Sequence, residues 1–116
     1  MIGKTLVRAA FAGAVVVAST VTMATTASAG QNGCAYVSFR DGHVYTQHNC
    51  GPNGTYHMDI FYPGVHRSTG GYQYFGGNRE TLWNDQPANG TNVCAQLWRH
   101  KSDGGYESMG LPCEVK

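Results

Sequence analysis

Short stretches of alternating apolar and polar residues follow one another along the chain, and beyond residue 30 no stretch repeats its apolar residues at helical spacing. In the clearest case, residues 55–62, the apolar side carries Tyr56, Met58, Ile60 and Tyr62, and the other side carries His57, Asp59 and Phe61. A period of two is typical of a β-strand with one buried face. The pattern therefore predicts an all-β domain.

The same alternation, bounded by glycine, proline and asparagine, predicts six or seven antiparallel strands. Asp41-Gly42 reads as the turn of a first hairpin, and Pro63-Gly64 ends the strand that follows. Residues 65–71 are predicted to be a polar connection and residues 85–92 a loop. A small sandwich or Greek-key barrel accommodates such strands, which we place at residues 35–40, 43–48, 55–62, 72–75, 80–84, 93–100 and 106–109.

Residues 1–29 have the pattern of a cleaved secretion signal of bacterial style. Lys4 and Arg8 precede an apolar run, and Ala27-Ser28-Ala29 forms the cleavage site. The apolar run is too short for a hydrocarbon core of about 30 Å, so we expect no stable membrane insertion. The mature protein, residues 30–116, is then one secreted domain.

All four cysteines lie in the predicted mature part, which favours two disulfides in an exported protein of this size. Cys34 and Cys50 flank Asp41-Gly42 almost symmetrically, and Cys94 and Cys113 flank Asp103-Gly104 in the same way. We therefore predict the pairs Cys34–Cys50 and Cys94–Cys113, each closing its own hairpin.

The charge of the mature part argues against two classes of partner. Residues 30–116 carry six Lys or Arg and seven Asp or Glu, a formal charge of −1. Without a basic cluster, binding to the phosphate backbone of nucleic acid or to an anionic membrane is not expected.

The sequence also offers weak candidates for catalysis. The four serines of the mature part lie in no nucleophile motif, and His57 with Asp59 reads as the polar side of a strand. The five histidines lack the spacing of a metal site. We predict no catalytic residues, no metal and no cofactor, so the protein is not expected to be an enzyme.

Aromatic residues are the unusual feature, since the mature part holds twelve of them. A thin sandwich cannot bury them all, and exposed Tyr, Trp and Arg on rigid strands are typical of recognition surfaces. The candidates for protein binding are Trp98, Arg99, His100, Tyr72, Tyr74 and Trp83.

The first hairpin, with its interval from Cys34 to Cys50, and the strand at residues 54–62 resemble the streptomycete proteinaceous α-amylase inhibitors of the tendamistat type. The resemblance implies a small exported all-β fold with two disulfides. The family carries a Trp-Arg-Tyr triplet in its first hairpin turn, where this chain reads Arg40-Asp41-Gly42-His43. Trp98-Arg99-His100 is chemically similar but lies in another hairpin, and Cys94 lies further along the chain than the family's third cysteine.

These observations predict a secreted, non-catalytic binding protein that inhibits an extracellular enzyme. Two alternatives stay open. One is an interaction or adaptor subunit of a secreted toxin or cell-surface assembly, and the other is a carbohydrate-binding module that uses Tyr72, Tyr74 or Trp83.

Overall fold

The computed structural model describes residues 30–116, so the predicted secretion signal at residues 1–29 lies outside the described residues. The described part contains no helix, and therefore no helix that is long and apolar enough to cross a membrane. Its ten strands are β1 Gln31–Asn32, β2 Ala35–Arg40, β3 His43–His48, β4 Gly54–Tyr62, β5 Val65–Ser68, β6 Tyr72–Tyr74, β7 Arg79–Leu82, β8 Asn92–His100, β9 Tyr106–Gly110 and β10 Cys113–Val115. The predicted all-β class is confirmed, with ten strands in place of six or seven.

The strands form two antiparallel sheets. The larger has β4 and β8 at its centre, with β5 and β6 along the far side of β4 and with β9 and β10 along the far side of β8. The smaller has the order β1-β2-β3-β7. Strand β2 contacts β8 of the other sheet, which makes the arrangement a small sandwich.

The additional strands lie at sheet edges, where the apolar pattern is weakest. The segment predicted as a polar connection contains β5, which pairs with β4 from Asp59↔Ser68 to Tyr62↔Val65. Three of its four residues are exposed, so it buries no apolar face that would produce alternation. The two-residue β1 and three-residue β10 are likewise exposed or half-buried edge strands.

The β2–β3 hairpin forms as predicted around Asp41-Gly42. Its last pair is Arg40↔His43, and the backbone φ angles of Asp41 and Gly42 are 51° and 83°. Two consecutive positive φ values define the type I′ turn that matches the twist of a two-residue hairpin.

Both predicted disulfides are confirmed, Cys34–Cys50 and Cys94–Cys113. The first joins the residues that flank the β2–β3 hairpin. The second joins a directly opposed pair on β8 and β10. In the chain-entropy model, loops of this length each contribute about 3 kcal/mol by restricting the unfolded chain.

The core lies between the sheets and follows the predicted alternation of β4 and β8. It contains Ala35, Val37, Val44, Tyr56, Met58, Ile60, Tyr74, Trp83, Val93, Ala95 and Leu97. Gly110 lets β9 pass close to β1, since a Cβ there would overlap the carbonyl oxygen of Asn32.

His48 is the buried polar centre at one end of this core. Its Nε2 lies 2.9 Å from the carbonyl oxygen of Cys50, which can only accept, so Nε2 carries the proton and Nδ1 accepts from the Tyr72 hydroxyl at 2.9 Å. Its ring stacks on Tyr74 with 3.6 Å between centroids. Burial lowers the pKa of His48 to about 4, and the positive charge of Arg79 acts in the same direction.

We expect His48 to make the protein less stable in acid. Between pH 6.5 and pH 4.5 the unfolded chain protonates this imidazole while the folded protein does not, so the free energy of unfolding falls by about 2 kcal/mol from this residue. Non-reducing urea unfolding at both pH values measures the fall, and the His48→Gln variant provides the comparison.

Because carboxylates titrate in both proteins, the difference between their pH dependences isolates His48. Equal losses of stability in the wild type and in His48→Gln would contradict the assignment.

Candidate binding surface

Polar and aromatic side chains cover the outer face of the larger sheet, away from the core. The strand register brings them into rows, with His57 opposite Trp98, Tyr106 opposite His100, and Phe61 opposite His66. We define the outer-face cluster by the side chains that contact one another on this face: His57, Asp59, His66, Trp98, His100 and Tyr106.

Tyr106 lies at the aromatic centre of the cluster. Its ring centroid is 5.1 Å from that of His57, 4.9 Å from that of His100 and 6.5 Å from that of Trp98. The His57 and Tyr106 rings are nearly perpendicular, an edge-to-face geometry that adds to simple area burial. Tyr106 is 59% exposed and Trp98 is half-buried, so both rings are accessible from the outside of the sheet.

Imidazole and carboxylate groups lie next to one another in a row on the same surface. His57 Nδ1 lies 2.8 Å from His100 Nε2, and His57 Nε2 faces Asp59 Oδ1 at 3.8 Å. The second oxygen of Asp59 lies 3.2 Å from His66 Nε2. Since a carboxylate favours a facing proton, we assign the proton of neutral His57 to Nε2, and His100 then donates its Nε2 proton to His57 Nδ1.

Burial affects the protonation of His57 in this cluster. Burial lowers the pKa of His57, the negative charge of Asp59 opposes that effect, and His100 adds to it. Asp59 Oδ1 is buried and has no hydrogen-bond partner within residues 30–116. Burial in the cluster therefore favours a neutral His57.

A polar pocket of about 540 Å³ adjoins the cluster at the end of β8. We call it the basic pocket, since three consecutive basic residues contribute to it together with polar groups of the β4 start and the β8–β9 turn. The pocket is lined by Asn53, Gly54, Thr55, Arg99, His100, Lys101 and Ser102. His100 belongs both to this pocket and to the outer-face cluster.

The predicted triplet Trp98-Arg99-His100 is divided between the two faces of β8. Trp98 and His100 belong to the outer-face cluster. Arg99 is paired with Tyr56 of the core face, and its Nη2 lies 2.8 Å from Glu107 Oε1. The period-two geometry of a strand separates neighbours in this way.

Two of the predicted binding residues are instead part of the core. Tyr74 and Trp83 are 4% and 8% exposed, so neither ring is available to a partner. Tyr74 stacks on His48, and Trp83 donates from Nε1 to Thr46 Oγ1 at 2.9 Å. Tyr72 is half-buried, with its hydroxyl on His48 and the Arg79 guanidinium 3.9 Å from its ring centroid.

Sequence reasoning missed Tyr106 and the joining of His57 to His100. Tyr106 begins a five-residue edge strand, and nothing in its sequence context distinguishes it from other tyrosines. The separation of 43 residues between the two histidines is closed only by the β4–β8 pairing. The alternation of residues 55–62 had placed His57 on the outer side correctly.

None of the imidazoles in the described residues is hydrogen-bonded to a serine or threonine hydroxyl. Within residues 30–116 their hydrogen bonds run to backbone carbonyls, to Tyr72, to Asp59 and to one another. In the same part of the chain no group of three or more His, Cys, Asp or Glu side chains is placed to hold a metal ion. What the outer face offers is aromatic area and hydrogen-bonding groups.

A second cleft, of about 590 Å³, lies between the sheets beside Tyr62, Arg67 and Asp85. The side chain of Asp85 is 7% exposed and accepts from the Tyr62 hydroxyl at 2.7 Å and from Arg67 Nε at 3.1 Å. The hydrogen bond from the Tyr62 hydroxyl to Asp85 is the main reason that the pKa of Tyr62 is raised. The carboxylate thus ties the loop before β8 to β4 and β5, which is a structural role.

Comparison with known proteins returns nothing for this chain: no family model, no curated protein and no solved structure matches it.

We expect Asp85→Ala to lower the free energy of unfolding by about 1–3 kcal/mol, because the Tyr62 hydroxyl and Arg67 lose their shared acceptor. Chemical denaturation measures the loss. Glu80→Ala, an exposed change on β7, is the control and should stay within about 0.5 kcal/mol of the wild type. Equal effects of the two substitutions would contradict the structural role of Asp85.

Proposed function

We propose that this protein is a non-catalytic binding protein that inhibits an extracellular enzyme by docking its outer-face cluster onto it. The observation that carries the proposal is the group of rings on an open sheet face, Trp98 and Tyr106 with His57 and His100. Large rings on regular strands contribute contact area at little cost in conformational entropy. Such residues are the usual energetic centres of protein interfaces.

The face is large enough for a specific interface. Strands β4 and β8 each have nine residues, which corresponds to a length of about 30 Å, and four strands side by side span about 19 Å. With projecting rings, this area approaches the roughly 800 Å² that each partner buries in a complex of standard size.

The mechanism of inhibition follows from rigidity. Trp98 and His57 are central in the sheet, where backbone pairing on β4 and β8 holds them, and the second disulfide joins β8 to β10. A surface that is already ordered loses little freedom on binding. Disulfides are typical of proteins outside the cytoplasm, which supports an extracellular partner.

The direct test is to incubate the disulfide-bonded protein with a panel of secreted hydrolases and to measure inhibition and complex formation. We expect nanomolar inhibition of at least one enzyme. Trp98→Ala and Tyr106→Ala should each weaken it at least tenfold, as central interface aromatics do. Leu82→Ala, at an exposed position of the smaller sheet, is the matched control and should inhibit like the wild type.

Absence of nanomolar inhibition and of any complex across the panel would reject the inhibitor function. Inhibition that survives both aromatic substitutions would show that the inhibitory site lies elsewhere than on the outer face. A stable complex that leaves the enzyme active would favour the adaptor function.

One observation favours carbohydrate binding as a second candidate. The Trp98 and Tyr106 rings lie next to the amide of Gln96 and the hydroxyl of Ser108, which are 3.1 Å apart on the same face. Rings with adjacent hydrogen-bonding groups suit a sugar. Glycan-array binding that is lost on Trp98→Ala but kept on Leu82→Ala would support this candidate over the inhibitor.

A further inference from the structure

A cleft of about 350 Å³ opens on the smaller sheet, on the opposite side of the sandwich from the outer-face cluster. Clefts that hold small molecules have volumes of about 300–1,000 Å³. We call it the small-sheet cleft, and it combines aromatic rings, one cation and several uncharged polar groups. It is lined by Gln31, Tyr36, Ser38, Phe39, Arg40, Tyr45 and Gln47.

The pairing of β2 with β3 builds the cleft. Tyr36 lies opposite Gln47, and Ser38 lies opposite Tyr45. Val37, between Tyr36 and Ser38, is fully buried in the core, so its two neighbours point to the outer face of the sheet. The strand register therefore sets hydroxyl, amide and aromatic groups side by side on that face.

Tyr45 supports the cation of the cleft. The guanidinium carbon of Arg40 lies 3.9 Å from the centroid of the Tyr45 ring, a distance at which the ring attracts the charge. The Tyr36 ring meets Tyr45 edge to face at 6.4 Å, and Gln47 Nε2 donates to the Tyr45 hydroxyl at 2.7 Å. Tyr45 is only 4% exposed, so the guanidinium rests on a ring that is itself held in place.

Arg40 has no carboxylate of its own. Within residues 30–116, Arg67 and Arg99 each lie within 3.1 Å of a carboxylate oxygen, whereas no Asp or Glu oxygen lies within 4.0 Å of the Arg40 side-chain nitrogens. Arg40 is exposed, and its charge is permanent. The cleft thus presents an uncompensated guanidinium in a fixed place.

The uncharged groups around this cation match a sugar ring. Gln47 uses its amide nitrogen on Tyr45 and so presents Oε1, which only accepts. Ser38 and Tyr36 add hydroxyls, which both donate and accept. A carboxylate alone needs donors, whereas the hydroxyls of a sugar need donors and acceptors together, and the rings of the cleft offer apolar contact to its C–H groups.

We infer that the small-sheet cleft binds an acidic saccharide, with the carboxylate of a uronic acid unit on the Arg40 guanidinium. The planar guanidinium matches a carboxylate through two parallel N–H···O hydrogen bonds. The inference goes beyond the proposed function and does not rest on it. Because the two outer faces lie on opposite sides of the sandwich, a saccharide and a protein partner are able to bind at the same time.

The experiment compares a charged saccharide with its uncharged derivative. A tetramer of galacturonic acid is titrated into the disulfide-bonded protein, and the amide NMR shifts of residues 36–40 and 45–47 are followed. We expect saturable shifts of these amides. The fully methyl-esterified tetramer keeps the sugar rings and loses the charge, so it should bind at least about tenfold more weakly.

Three variants locate the site. Arg40→Gln should weaken binding of the tetramer at least about tenfold, since hydrogen bonds to a charged group are lost. Arg79→Gln makes the same change at an arginine whose guanidinium also lies 3.9 Å from a tyrosine ring centroid, that of Tyr72, outside the cleft. Arg79→Gln should bind like the wild type, and so should Trp98→Ala on the opposite face.

The esterified tetramer tests the charge without any substitution, so the result stands even where Arg40→Gln does not fold. Four outcomes would overturn the inference. They are no saturable shift with the tetramer, equal affinity for the tetramer and its ester, unchanged affinity in a folded Arg40→Gln, and equally tight binding of a capped tri-glutamate peptide. The last would assign the cleft to an acidic peptide. Hydrolase inhibition is measured separately, so either proposal fails without the other.

Discussion

The pairing of β4 with β8 is the constraint on which the rest of the structure depends. Six residue pairs, from Tyr56↔Arg99 to Phe61↔Cys94, join the two longest strands at the centre of the larger sheet. The inner side chains of both strands fill the core, and the outer ones form the centre of the outer-face cluster. Because side chains alternate with a period of two, one register decides both faces. A slip of one residue would turn over one of the two strands, burying His57 and exposing Ile60 on β4, or burying Trp98 and exposing Leu97 on β8.

The polar groups at the two faces have opposite roles because their access to water differs. His48 is buried and keeps one tautomer. In it the ring donates a hydrogen bond to the carbonyl oxygen of Cys50 and accepts one from the Tyr72 hydroxyl, which holds β3 against β6. His100 is half-buried at a strand end, where it lines a polar pocket and contacts His57 and Tyr106. The same imidazole group thus stabilises the core in one place and belongs to the outer-face cluster in the other.

The aromatic residues divide in a comparable way. Tyr56 and Tyr74 pack around His48 and Trp83 bonds to Thr46, which explains how a thin sandwich hides so many rings. Trp98 and Tyr106 remain on the outer face with the histidines. Their partners across the strands are polar, so the face carries apolar area within a hydrogen-bonding frame. This combination is the physical basis of the proposed inhibitor surface.

The sequence by itself determined the all-β class, the hairpin turn at Asp41-Gly42, both disulfides and the buried side of β4, because each depends on local spacing or on symmetry about a turn. It failed at edge strands such as β5, whose exposed residues have no apolar period. It assigned Tyr74 and Trp83 to the surface because ring count alone does not say which rings the core takes. Tertiary structure alone decided that Trp98 meets Tyr106 and that His57 meets His100, since only strand register brings together side chains that lie far apart in the chain.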